Sequence, residues 1–204
     1  NCAGANADII AHQFGVGRDY VLLPFKGTYY KLRDQAKYLI KNSIYPVPDV
    51  SLPFLGIHLT RVINGDIYVG PTAIPAFGRE NYGILEGVKL GEGFKIGWGT
   101  ATMYLRNNQN FRRLVHTEIR KYHKASFLKE TCKLVPRVMS DDLVSSDKVG
   151  IRPQLVNLRE QKLVMDFLIE QTATSIHVLN AISPAFTCSF AFAELLVARL
   201  SKID

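Results

Sequence analysis

The sequence predicts an α+β fold. A mixed, largely antiparallel sheet with packed helices spans about Arg18 to Asp147, flanked by two partial pieces of a second, α/β domain. Three observations carry this prediction. Tyr20 to Leu32 alternates aromatic, aliphatic and polar residues at the two-residue period of a strand; Asn64-Gly65 joins two strand-like runs; and Phe111, Leu114, Val115, Ile119 and Tyr122 recur at helical spacing.

Along the chain, Asn1 to Gly4 reads as the end of a buried strand closing on a small-residue turn, and Ala7 to His12 as the helix after it. The chain is therefore expected to open inside a domain. Tyr20 to Leu32 follows as a strand bent or bulged at Gly27, where a residue without a side chain marks a close backbone approach. Phe54 to Ile63 and Asp66 to Val69 form the hairpin. Six glycines between Gly83 and Gly99 read as a loop, without the strand, Gly-x-Gly-x-x-Gly and helix setting of a dinucleotide site.

After the helix at Phe111, a second amphipathic set at Phe127, Leu128, Cys132 and Val135 is stopped by Pro136. Strands are expected at Gly150 to Val156, Leu163 to Glu170 and Ser175 to Leu179. Ser183-Pro184 then reads as the cap and first residue of a last helix with Phe186, Phe190, Ala193, Val197 and Leu200 on its apolar face.

Composition narrows the function. At 204 residues and 47% hydrophobic content the chain can bury a substantial core. Lys and Arg outnumber Asp and Glu by 25 to 18, which suits an anionic small molecule, an anionic membrane surface or nucleic acid, but the basic residues are scattered without an aromatic-interleaved motif, so no nucleic-acid partner is expected. Cys2, Cys132 and Cys188 lack ligand or disulfide-framework spacing, and His116 and His123 are not at the i,i+4 spacing of a helical metal pair; no metal site is expected. The apolar stretch from Ala185 to Leu200 carries Glu194 and Arg199 and is too short for a bilayer span.

Several segments carry a resemblance. Asn1-Cys2-Ala3-Gly4, Pro24-Phe25-Lys26-Gly27-Thr28-Tyr29-Tyr30-Lys31-Leu32, Ile44-Tyr45-Pro46-Val47-Pro48, Gly56-Ile57-His58-Leu59-Thr60, Val69-Gly70-Pro71-Thr72-Ala73, Gly150-Ile151-Arg152-Pro153 and Ser183-Pro184-Ala185 follow one another along the chain. In that succession, which covers Asn1 to about Leu200, the chain resembles the FAD-dependent oxidoreductases of the D-amino-acid oxidase type, and among them the L-2-hydroxyglutarate oxidases and dehydrogenases.

The resemblance implies residues 1–17 as a partial FAD-binding domain, 18–147 as the substrate domain and 148–204 as the return to the FAD-binding domain. It implies a flavin cofactor touched by Cys2, Ala3, Gly4, Gly150, Ser183, Pro184, Ala185 and Thr187. The Gly-rich segment that holds the FAD pyrophosphate is absent from this sequence, so weak or no FAD retention is expected of the chain alone. Phe186 and Cys188 stand where the resemblance leads one to expect smaller or hydroxyl-bearing residues.

The implied reaction is hydride transfer to flavin from a 2-hydroxy acid, foremost L-2-hydroxyglutarate. Amine oxidation of glycine or another amino acid is the alternative within the class, and a non-catalytic binding protein the alternative outside it. Arg152 matches the arginine that grips the substrate carboxylate, for which a planar guanidinium offers two parallel hydrogen bonds; beside Pro153 it also reads as a surface arginine. His58, between Ile57 and Leu59, suits a general base for the hydroxyl proton and equally a core histidine. A dicarboxylate needs a second cation, for which Lys26, Lys31 and Arg61 are candidates. Strand alternation sets Tyr29 and Lys31 on the face opposite Tyr30, and one of these faces lines the pocket. Oxygen or a quinone would take the electrons. The implied location is cytoplasmic, peripheral to the inner membrane, or mitochondrial in a eukaryote.

Overall fold

The computed structural model describes residues 1–48 and 54–200. Helix α1 (Ala7–Gln13) precedes the long strand β1 (Tyr20–Leu32), and β2 (His58–Arg61), β3 (Ile67–Gly70) and β4 (Ile74–Pro75) follow. Three helices, α2 (Leu90–Arg106), α3 (Phe111–Arg120) and α4 (Lys124–Leu134), lead to β5 (Leu143–Asn157) and β6 (Lys162–Leu163). A separate hairpin of β7 (Leu168–Gln171) and β8 (Ile176–Asn180) precedes α5 (Ser189–Leu200).

The sheet runs β2-β3-β1-β5-β6, with β4 also on β1, and all of its pairings are antiparallel. Its axis is the β1–β5 ribbon, in register from Tyr20 opposite Asn157 to Leu32 opposite Leu143. A bulge interrupts the register between Thr28 and Tyr30. Gly27 sits just before it because a Cβ there would lie 2.8 Å from Cβ of Pro71. At the β2–β3 hairpin the turn closes through Gly65 at φ +83°, with the Asp66 N–H donating to Asn64 Oδ1 at 2.9 Å.

Three apolar clusters pack on this sheet. Leu23 and Phe25 meet Ile96 and Met103 of α2 and Phe111, Leu114 and Val115 of α3. Leu32, Leu59, Ile67 and Val69 meet Phe127 of α4. Leu22 and Leu155 meet Ala7 and Ala11 of α1 and Leu179 of β8.

The structure corrects several boundaries. Gly91, Gly93, Gly97 and Gly99 lie in α2, not in a loop. Each glycine costs a helix roughly 1 kcal/mol, but Ile96 and Met103, seven apart on one face, bury against the sheet, and Gly99 lets the helix approach Leu23. The strand expected from Gly150 starts at Leu143, because the whole segment pairs with β1. The run expected from Leu163 to Glu170 is two strands: β6 pairs with β5, and β7 pairs with β8. The crossing between them is pinned by Asn180 Nδ2, which donates to the carbonyls of Val164 at 3.3 Å and Asp166 at 2.7 Å.

The last helix starts at Ser189, not at Pro184. A reverse turn, in which the Ala185 N–H donates to the Ile182 carbonyl at 2.8 Å, intervenes. Helix α5 buries none of its residues, and Phe186 and Phe190 are exposed, so the predicted apolar face is not packed into a core. Asn1 to Ala3 is not a strand, although the Asn1 carbonyl accepts the Val178 N–H at 2.8 Å and so docks beside β8. Among the described residues no helix is long and apolar enough to cross a membrane.

Candidate functional site

The two ends of the described chain meet. Asn1 Nδ2 lies 2.9 Å from the Ala7 carbonyl and 3.0 Å from His177 Nδ1, which ties the first residues to β8. A cleft of about 300 Å³ opens between these pieces, lined by Cys2, Gly4, Pro153, Asn180, Ala181, Ala185, Ser189 and Phe192 among others. Of the sequence-predicted cofactor residues, Cys2, Gly4 and Ala185 line it, while Ala3, Gly150, Ser183, Pro184 and Thr187 do not. Thr187 Oγ1 instead donates to the Pro184 carbonyl at 2.9 Å. Phe186 is 91% exposed and is not among the residues that line the cleft.

This cleft suits one part of an FAD. Small residues on its walls admit a flat ring, and the N-terminal turn of α5 at Ser189 brings the positive end of a helix to its border. The groups present therefore fit the ring end of the cofactor better than its pyrophosphate, which requires a Gly-rich turn at a helix start.

Arg152 stands opposite Phe25 in the β1–β5 register. Its guanidinium lies 4.9 Å from the Phe54 ring centroid, and that ring packs on Phe25 at 4.9 Å. Among the described residues it has no carboxylate within 4.0 Å. Burial lowers its pKa from the ordinary arginine value. A half-buried cation held by an aromatic face and left unneutralised is a ready acceptor for an anion. Between Lys148 and Pro153 the outer edge of β5 pairs with no strand among the described residues. Pro153, the next residue on β5, lines the cleft, and because adjacent strand residues point to opposite faces Arg152 lies on the other face of the strand.

His58 begins β2, half-buried, stacked on Tyr45 with ring centroids 4.6 Å apart. Its Nδ1 lies 3.1 Å from the Gly56 carbonyl. A carbonyl only accepts, so Nδ1 carries the proton and the neutral ring keeps Nε2 free as a base. Burial lowers the His58 pKa from 6.5, the Gly56 hydrogen bond opposes this, and the positive charge of Lys148 adds to the lowering.

The other predicted anchors are engaged elsewhere. Lys26 is buried, donates to the Gly83 carbonyl at 2.6 Å, and has its pKa lowered by burial. Lys31 pairs with Asp66 at 2.8 Å, and hydrogen bonds from Lys31 and then Lys37 pull the Asp66 carboxyl down to about 2. Arg61 donates to the Ile40 carbonyl at 2.9 Å. Tyr30 packs on Phe127 at 4.7 Å, inside the α4 core.

Sequence reasoning missed the cluster on the opposite face. Tyr29 and Tyr68 meet edge to face at 6.4 Å, and the Lys148 ammonium lies 5.0 and 4.5 Å from their ring centroids. The signal was present: Lys148, Gly150 and Arg152 alternate along one strand. A second cavity, of about 510 Å³, is bordered by Asp8, Arg79, Glu92 and Lys95. Its arginine is already neutralised, with Arg79 bidentate on Asp8 at 2.7 and 2.8 Å and 3.1 Å from Glu92. Among the described residues no cluster of His, Cys, Asp and Glu is arranged to hold a metal, and His116 bonds the Tyr104 hydroxyl at 2.7 Å.

Comparison with known proteins gives this arrangement a lineage. The chain is 36% identical over 196 residues to an L-2-hydroxyglutarate dehydrogenase of Indibacter alkaliphilus, an alignment covering 93% of this chain and 47% of the relative. It is 31% identical to the protein of that name from Escherichia coli strain K12, covering 100% of the chain and 47% of the relative. It is 34% identical to the mitochondrial L-2-hydroxyglutarate dehydrogenase of Mus musculus, covering 98% and 44%. The chain thus spans about half the length of the curated relatives it matches. The family profile described as FAD dependent oxidoreductase matches residues 1–199, so the chain belongs to the DAO family.

Proposed function

We propose that this chain is the substrate domain and C-terminal portion of an enzyme that oxidises a 2-hydroxy acid, L-2-hydroxyglutarate to 2-oxoglutarate, by hydride transfer to FAD. The observation that carries the reading is Arg152, half-buried over Phe54 and without a carboxylate partner among the described residues. Residues 1–17 and 148–204 serve the cofactor side and 18–147 the substrate side, with β5 also bringing Arg152 to the substrate. These divisions mark function and not separate folding units, since β5 crosses the second boundary; residues 201–204 lie outside the described residues.

In this reading Arg152 holds the C1 carboxylate and fixes the substrate's orientation. His58 Nε2 takes the proton of the C2 hydroxyl as the C2 hydride departs, and the Gly56 carbonyl stabilises the imidazolium that results. Bound FAD supplies the acceptor for that hydride. Cys2, Gly4, Ala185 and Ser189 would border its ring, with the α5 N-terminus favouring negative charge there. The names of the eukaryotic relatives support a mitochondrial location in a eukaryote. Elsewhere a cytoplasmic or membrane-peripheral location, with oxygen or a quinone as electron acceptor, suits the same chemistry.

Anaerobic mixing of the complete, flavin-loaded protein with L-2-hydroxyglutarate is expected to bleach the flavin absorbance, and amino acids are not. Bleaching by glycine or another amino acid alone would replace this reading with amine oxidation. No bleaching by either class would leave a non-catalytic binding protein.

A further inference from the structure

We propose that Lys148 is the second anion anchor of the substrate site, holding the far carboxylate of a dicarboxylic 2-hydroxy acid while Arg152 holds the near one. This rests on the reading of Arg152 given above and adds the residue that sets specificity for dicarboxylates.

A dicarboxylate requires two cations on one surface. Lys26, Lys31 and Arg61 each already meet an acceptor, at 2.6, 2.8 and 2.9 Å. Lys26 is also on the wrong side: it follows Phe25 in β1, and adjacent strand residues point to opposite faces. Lys148 has no carboxylate within 4.0 Å among the described residues. Its ammonium is instead held 4.5 Å from the Tyr68 ring and 5.0 Å from the Tyr29 ring. Ring faces fix a cation without neutralising it, so the charge remains available to an anion.

The same contacts place Lys148 and Arg152 on one face. Strand β1 continues through the bulge, so Phe25 and Tyr29, four residues apart, share a side. Arg152 packs on Phe54, which packs on Phe25, and Lys148 packs on Tyr29. The bulge is what aims the lysine. The register passes from Thr28 opposite Val149 to Tyr30 opposite Ser145, which leaves Ser146, Asp147 and Lys148 facing the single residue Tyr29.

The ground between the two cations is bare. Gly150 lies midway, and a Cβ built on it would meet nothing within 4 Å. Four strand residues span roughly 13 Å, enough to take a five-carbon diacid end to end with one cation at each carboxylate. A monocarboxylate would reach only Arg152. His58 and Thr60, two apart on β2, share a face, and Thr60 stands opposite Tyr68, the ring that carries Lys148, so the base belongs to the same face.

The test uses the complete flavin-loaded protein and two unreactive acids, glutarate and butyrate, with binding read by calorimetry. Lys148→Met is expected to weaken glutarate about 10- to 100-fold, the size of a lost charge-assisted hydrogen bond, and to leave butyrate within about 2-fold. Lys148→Arg restores most of the loss. Arg152→Ala weakens both acids. Glutarate binding unchanged in Lys148→Met, or both acids weakened equally by it, overturns the anchor alone. Binding of both acids unaffected by Arg152→Ala overturns the substrate-site reading and the anchor with it.

Discussion

On the α1 side of the β1–β5 ribbon every buried charge meets its complement. Asp8 accepts the Leu22 N–H at 2.9 Å and the two Arg79 bonds at 2.7 and 2.8 Å, and Lys26 donates to the Gly83 carbonyl at 2.6 Å. On the Phe54 side, Arg152 and Lys148 rest on aromatic rings with no carboxylate within 4.0 Å among the described residues. The two sides share strands and solvent conditions, so the difference lies in what each does. Saturated pairs hold segments together, whereas a cation positioned by rings and left without a counter-ion is poised for an external anion.

The largest effect that would break this contrast is expected on the saturated side. Asp8→Ala leaves Arg79, 10% exposed, without its main partner, and should cost about 3–5 kcal/mol. Urea unfolding would measure it, and a loss under about 1 kcal/mol would mean that the pair is not what fixes α1 to the sheet. Lys26→Met removes the 2.6 Å bond to the Gly83 carbonyl, which keeps only Asn81 Nδ2 at 3.0 Å, and should cost about 0.5–1.5 kcal/mol of stability while leaving the KM for 2-hydroxyglutarate unchanged. A raised KM with unchanged stability would move Lys26 to the substrate side.

Arg152→Ala should show the reverse pattern. In the complete flavin-loaded protein its KM should rise about 10- to 100-fold, with stability altered by less than about 1 kcal/mol. A variant that unfolds but keeps its KM would make Arg152 structural.

The histidines sharpen the comparison through pH. His58 and His177 both have pKa values lowered from 6.5 by burial, so each takes up a proton less readily when folded than when unfolded. Below pH 6.5 the unfolded chain gains protons first, and stability should fall as pH drops through the lowered folded values. Flavin reduction should rise with pH across that same acidic window and level off by neutrality, because the base acts only when neutral. A thermal melting point that is flat from pH 7 to pH 5 would contradict the first expectation, and an unchanged reduction rate in His58→Ala the second. Smallest of all, Glu130→Gln breaks an exposed i,i+3 pair with Lys133 and should cost no more than about 0.5 kcal/mol.

Local pattern made much of the fold legible. Alternation in Tyr20–Leu32, the Asn64-Gly65 turn and the helical spacing from Phe111 each act within a few residues, and all three elements form as expected. Helix α2 was not legible, because its glycines argue against a helix and only the packing of Ile96 and Met103 on β1 overrides them. The unpacked face of α5 likewise has an ordinary core-like pattern in sequence. Pattern specifies an apolar face, and what covers that face is a tertiary matter.

The sequence alone determined the α+β class, the order of most elements, the resemblance that runs along the chain, and the choice of Arg152 and His58 as residues to watch. Only the tertiary structure decided that Asn1 docks on β8, that Lys26, Lys31 and Arg61 are engaged elsewhere, and that a bulge sets Lys148 over Tyr29 and Tyr68. The reason is range. Periodicity and turn chemistry are fixed by neighbours along the chain, whereas whether a charge is neutralised depends on groups that folding brings within a few ångströms from positions far apart in sequence.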